Sequence, residues 1–122
     1  MKKFTFLIPV FNDWDSLNIL LERIDQEISS FEDIFDIVVL NDGSTIKHSI
    51  KNKNFKKINL IKILNLKKNL GSQRALAIGL KYVFTLRYLH TTEFTHYRVI
   101  SVNTASHAST CKTERCEHVL QI

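Results

Sequence analysis

The chain has 122 residues and a mass of 14.2 kDa, is 44% hydrophobic and 24% charged, and carries a formal net charge of +5. That length suits one domain, and the composition excludes wholesale disorder, collagen and coiled coil. No apolar run approaches the roughly 20 residues needed to cross a bilayer. The stretch behind Lys2 and Lys3 is broken by Asn12, Asp13 and Asp15, so it reads as a strand entering a polar loop rather than a secretory leader.

Residues 4–10 (FTFLIPV) form an apolar, aromatic and β-branched run of strand length, as expected for a strand buried on both faces. Asn12 and Asp13 then offer N-cap side chains. Trp14, Leu17, Leu20, Leu21, Ile24, Ile28 and Phe31 recur every three or four residues, one face of a helix, with Asp13 and Asp15 at its positive end. A second strand is expected over 35–40 (FDIVVL), stopped by the turn chemistry of Asn41-Asp42-Gly43-Ser44. A short polar helix is expected around 45–53, and a third strand over 58–64 (INLIKIL). The basic loop Asn65–Gly71 leads to a helix over 72–86, and Tyr97–Val102 is a candidate fourth strand. Strand, helix, strand, helix, strand, helix with short links implies an α/β fold with a parallel, Rossmann-like sheet wound right-handedly and helices on both faces.

Charge and composition both break along this path. Residues 1–42 carry nine acids against three bases, whereas residues 43–92 carry eleven bases and no acid. Residues 1–83 use Ile, Lys and Asn 31 times and residues 84–122 four times, while the latter hold four of the five histidines. Residues 1–83 therefore read as one α/β unit, and 84–122 as a divergent, irregular tail, a truncated or replaced remainder. Two cysteines, Cys111 and Cys116, make no disulfide framework, so a reducing compartment is the expectation. With His107 and His118 they could supply four zinc ligands, but the spacing is looser than in zinc sites, and free side chains are the simpler reading.

Ligands of open parallel sheets bind beyond the carboxyl ends of the strands. Here those ends are polar: Phe11-Asn12-Asp13, then Asn41 to Ser44, then Asn65 to Gly71. With only Gly43, Gly71 and Gly79, the chain has no dinucleotide fingerprint and no phosphate-binding P-loop. It has no zinc-protease motif or serine nucleophile elbow either. Each polar loop has a plainer reading: Asp42-Gly43-Ser44 as turn and cap, Asp13 as N-cap. Lys47, Lys51, Lys53, Lys56 and Lys57 read most simply as a solvated face. Lys67 and Lys68, beside Gly71, are better placed for phosphate.

Taken together, IPVFND at 8–13, VVLNDGST at 38–45 and NLGSQRALAIGL at 69–80 resemble family 2 glycosyltransferases, enzymes of the GT-A fold that use nucleotide sugars. All three motifs occur in order over about 80 residues, as in the N-terminal, nucleotide-binding part of such an enzyme. The resemblance implies that Pro9 and Phe11 lie beside the nucleobase and Asp13 near the nucleotide. It implies that Asp42 recognises uracil or ribose, with Gly43 and Ser44 shaping its turn. It places Asn69, Gly71 and Arg74 near the sugar diphosphate. The implied partners are a UDP- or GDP-sugar and an acceptor, lipid-linked or polysaccharide, as in cell-envelope polysaccharide synthesis. The implied place is the cytoplasm, or the inner face of the membrane for a peripheral enzyme. Nucleic acid is not expected.

The chain also departs from the pattern. Asn41 stands where an acid is common and Ile46 where the turn often ends in Asp. The family implies Mg²⁺ or Mn²⁺ held by an Asp-x-Asp motif, yet no aspartate follows Asp42. No metal ligand and no catalytic residue is assigned, and this chain alone is expected to be weakly active or inactive. The competing expectation is a non-catalytic basic module binding nucleic acid or anionic membrane through residues 47–68, with eight lysines but only Phe55 as an aromatic.

Overall fold

A computed structural model describes residues 1–52, 54–90, 97–101 and 119–120. The elements run β1 (Lys3–Val10), α1 (Trp14–Glu27), a 3₁₀ turn at Ile28–Ser30, β2 (Ile34–Asn41), β3 (Ile58–Asn65), α2 (Ser72–His90), β4 (Tyr97–Ser101) and β5 (Val119–Leu120). The sheet order is β3-β2-β1-β4-β5, parallel throughout except for the antiparallel β4–β5 pair.

β1 and β2 are buried on both faces, which is why they read as nearly continuous apolar runs. Ile8 and Val10 of β1 and Phe35, Ile37 and Val39 of β2 pack with Trp14, Leu17, Leu21 and Ile24 of α1. Leu7, Val38 and Leu40 point the other way, onto Ala75 and Val83 of α2. The alternation of a strand thus distributes neighbouring residues between two helices on opposite faces. Phe4 and Phe35, paired across β1 and β2, stack with ring centroids 5.2 Å apart. Asp36 is buried within this sheet and is neutralised by Lys3 Nζ at 2.8 Å, with Asn59 Nδ2 donating to it at 2.7 Å.

Two expectations need correction. No helix forms at 45–53; among its described residues the chain is extended or bent, because its polar backbone groups are taken by side chains of the first loop and α1 (below). The second helix, expected over 72–86, runs on to His90. Beyond it β4, the candidate fourth strand, pairs with β1 from Lys3↔Tyr97 to Leu7↔Ser101, and Val119–Leu120 adds an edge strand. Residues 102–118, including His107, Cys111, Cys116 and His118, lie outside the described residues.

The order 3-2-1-4 makes the boundary between β1 and β4 a topological switch point, where the chain reverses its direction of travel across the sheet. The crevice beyond the carboxyl end of β1 is therefore the place where a doubly wound sheet leaves room for a ligand. No described helix is long and apolar enough to cross a membrane.

Candidate functional site

Three loops meet beyond the carboxyl ends of β1, β2 and β3, as the parallel topology requires. The backbone joins them first. Asp42 N–H donates to the Val10 carbonyl at 2.8 Å, and Leu66 N–H to the Asn41 carbonyl at 2.9 Å. Side chains then lock each loop to its neighbour.

Asn12 ties the first loop to the second. It adopts a left-handed backbone conformation, φ 58°, which Asn tolerates better than most residues. Its Oδ1 accepts from Thr45 N–H at 2.8 Å, Ile46 N–H at 3.0 Å and Thr45 Oγ1 at 3.3 Å. Its own N–H donates to Ser44 Oγ at 2.9 Å. Asn41 works from within the second loop, where its Oδ1 accepts from Ser44 N–H at 3.1 Å. Across the strand ends its Nδ2 donates to Asn65 Oδ1 at 2.8 Å.

Asp42 ties the second loop to the third. The residue is 3% exposed. Oδ1 accepts from Leu70 N–H at 2.7 Å and Oδ2 from Gly71 N–H at 2.9 Å. Gly43, at φ 70°, lets the two backbones touch: a Cβ there would sit 2.4 Å from Asn69 N and 2.5 Å from the Lys68 carbonyl carbon. Gly71 has φ 87° with open space around it, so it serves the turn rather than a close approach. Asn69 Oδ1 accepts from Gly71 N–H at 3.1 Å, and α2 starts one residue later.

The segment between β2 and β3 is strapped to α1. Trp14 Nε1 donates to the Ile46 carbonyl at 3.2 Å. Buried Asn18 donates to the Ser49 carbonyl and accepts from Lys51 N–H, both at 2.8 Å. Asp25 accepts from the N–H groups of Lys56, Lys57 and Ile58 at 2.8 to 3.0 Å. Burial pushes the Asp25 carboxyl up, but these three donors, with the Lys56 charge, outweigh it and hold the group below its ordinary value. An i→i+4 ladder cannot form where the donors are already spent in this way.

The expected site residues fall into distinct settings. Phe11 is 48% exposed at the tip of β1, while Pro9 is buried two residues before it, opposite Leu40. Asp13 is the N-cap of α1, accepting from Ser16 N–H at 3.3 Å, and remains exposed. Ser44 and Asn69 shape their own loops. Arg74, Lys67 and Lys68 are exposed and make no ion pair among the described residues. Asp42, expected at a base or ribose, has each oxygen on one main-chain donor, Leu70 N–H and Gly71 N–H. Of the lysines at 47–68, Lys51 pairs with Asp15 at 3.1 Å, Lys57 bonds the Phe31 carbonyl, and Lys62 lies over the Tyr82 ring.

Asn12, Asn41 and Asn65 were not among the expected site residues, although they hold the loops in place. The available signal was an Asn ending each of β2 and β3, and another just beyond β1. Side chains that bond local backbone favour such turns.

Residues 5–91 match the family model for glycosyl transferase family 2. An uncharacterized glycosyltransferase of Synechocystis sp. is 32% identical over 81 residues, which is 64% of this chain and 25% of that protein. The chain thus spans about a quarter of the length of the curated relative it matches.

Proposed function

Because the chain belongs to glycosyl transferase family 2, we propose that its carboxyl edge binds a nucleoside-diphosphate sugar, the donor for transfer of the sugar to an acceptor hydroxyl. The observation that carries this reading is the meeting of loops 11–13, 41–46 and 66–71 beside the β1–β4 switch point, held by Asn12 and Asp42. Such a preorganised edge binds without having to order its loops first.

Each element has a role in that complex. Phe11, exposed behind buried Pro9, offers a ring face to the nucleobase. Asp13, Gly43 and Ser44 line the approach to the nucleoside. Asn69, Gly71 and Arg74, with Lys67 and Lys68, attract the diphosphate, since cations with no ion pair among the described residues meet an anion at little cost. The donor is a UDP- or GDP-sugar, and the acceptor a lipid-linked or polysaccharide hydroxyl at the inner face of the membrane.

A divalent metal, which the family implies, does not fit the described residues. No three His, Cys, Asp or Glu side chains gather among them, and both Asp42 oxygens already accept from amides. This chain contributes donor binding, and little or no transfer on its own. Calorimetric titration with UDP and a UDP-sugar, with and without Mn²⁺, tests this: weak nucleotide binding is expected, and strong Mn²⁺-dependent transfer would contradict it.

A further inference from the structure

β3 is an outer strand of the sheet: in the order β3-β2-β1-β4-β5, its neighbour among the described residues is β2. From Asn59 to Leu64, no hydrogen bond other than that ladder reaches its backbone among the described residues. One row of N–H and C=O groups is therefore left open, the arrangement on which a further strand can form. A groove of about 460 Å³ runs beside the start of that row, lined by Ile50 and Phe55 of the preceding segment and by Ile58, Leu60 and Ile61 of β3. Leu60 is 51% exposed there. α1 fixes the far wall of the groove, because Asn18 accepts from Lys51 N–H and Asp25 from the N–H groups of Lys56, Lys57 and Ile58. The groove thus stands ready without having to order a loop.

Charge selects the occupant. Residues 43–92 carry eleven bases and no acid. Ile61 and Ile63 pack on the α1 side of β3, whereas Lys62 lies on the α2 side, 5.2 Å from the centre of the Tyr82 ring. Lys56 and Lys62 are exposed and make no ion pair among the described residues. The acids bonded to this region are already committed: Asp15 to Lys51, Asp25 to three amides, and Asp36 to Lys3 and Asn59. A second copy would bring the same cations to the same edge, and two-fold pairing about the middle of β3 would set the two Lys62 side chains near each other, at a cost in repulsion. A phosphate chain would meet the lysines, but it would also meet main-chain carbonyls and an apolar groove. A peptide strand suits every feature. Its main chain matches the open N–H and C=O row, alternate apolar side chains enter the groove on the α1 side, and acids between them meet the lysines. We propose that the β3 edge is a docking site for an extended segment of a partner protein, apolar and acidic by turns, which adds to the sheet as a further strand. The groove lies at the Ile58 end of β3, opposite the carboxyl edge, so this site does not depend on nucleotide binding.

The experiment uses the full 122-residue chain, isotopically labelled, and a short synthetic peptide in which valine and glutamate alternate. The comparison ligands are the same peptide with lysine for glutamate, a glutamate-only peptide and a short oligouridylate. The alternating acidic peptide should shift the amides of Ile50, Phe55 and Ile58 to Leu64. It should also slow hydrogen exchange about tenfold or more at those β3 amides that point away from β2, a change that side-chain docking alone would not produce. It should bind more tightly than each comparison ligand. Leu60→Glu removes an apolar contact and adds repulsion, and should weaken the peptide about tenfold. Lys56→Gln with Lys62→Gln should weaken it about threefold to tenfold at low salt. Both changes fall on exposed side chains; if Leu60→Glu fails to fold, the lysine pair carries the comparison. Absence of binding, shifts elsewhere, shifts without slowed β3 exchange, or an affinity unchanged in the folded variants would overturn the proposal. Tighter binding of the oligouridylate at these residues would assign the edge to nucleic acid, and concentration-dependent dimerisation that slows exchange at β3 would assign it to a second copy. Either result would overturn the proposal too.

Discussion

Asn12 and Thr45, 33 residues apart in sequence, are bonded twice: Asn12 Oδ1 accepts from both the backbone N–H and the hydroxyl of Thr45. The same oxygen also takes Ile46 N–H, so a single amide oxygen holds the entry to the segment between β2 and β3. Asn12→Ala removes that acceptor and also leaves an alanine at φ 58°. It should destabilise the fold by about 2 kcal/mol. Asn12→Gly loses only the acceptor and should cost about 1 kcal/mol less. Urea unfolding of both variants checks the difference; equal values would mean that the backbone conformation carries no strain.

Gly43 and Gly71 share a positive φ but differ in their surroundings, and this predicts unequal costs. Alanine at Gly71 meets nothing within 4 Å, so only the backbone preference is lost, about 1–2 kcal/mol. Alanine at Gly43 would in addition press on the backbone of Lys68 and Asn69 and should cost about 3 kcal/mol or more. Denaturant midpoints measure both. Similar costs would mean that the second and third loops are not in contact.

Asp25 should make stability depend on pH in the acid range. Its carboxyl is held below the ordinary value in the folded chain, so the unfolded chain binds the proton more readily. The stabilisation is complete above the unfolded pKa of about 3.9 and is lost as pH falls through the lower folded value. Asp25→Asn should lower the melting temperature at neutral pH and flatten its decline between about pH 5 and 2. Thermal unfolding across that range tests the sign; parallel profiles for wild type and variant would contradict it.

These predictions also mark what the amino-acid order discloses. The runs at 4–10, 35–40 and 58–64 are strands within one residue at each end; burial between two helices makes the first two nearly continuous apolar runs, while the edge strand β3 is legible from its Ile and Leu residues. The period of Trp14, Leu17, Leu21 and Ile24 exposes α1 in the same way. The helix expected at 45–53 fails for a reason no local pattern carries: Asn12, Asn18 and Asp25, between 31 and 34 residues away, capture its amides and those just beyond it. Asp42 is similar. Its position at a strand end is legible, but its partners Leu70 and Gly71 lie 28 and 29 residues on, so its burial is not. Convergence of the three polar loops was legible, because parallel topology alone sends all three strand ends to one edge.

Phe11 and Arg74 should divide the nucleotide between them. Phe11→Ala should weaken UDP binding by about 1–3 kcal/mol, the usual worth of a base stacked on an aromatic ring. Its effect should be nearly independent of salt. Arg74→Gln should weaken binding mainly at low ionic strength, where an exposed cation is least screened. Calorimetric titrations at two salt concentrations separate the two. Equal salt dependence in both variants would contradict the assignment of base and diphosphate ends.

The central claim is that loops 11–13, 41–46 and 66–74 form one nucleoside-diphosphate site. Its most direct test is titration of UDP into the isotopically labelled chain while amide chemical shifts are followed residue by residue. Shifts should concentrate on Phe11 to Asp13, Asn41 to Ile46 and Leu66 to Arg74, saturating together with a single affinity. Shifts confined to the open groove along β3, lined by Ile50, Phe55, Ile58 and Leu60, or scattered over the lysines of 47–68, would contradict it.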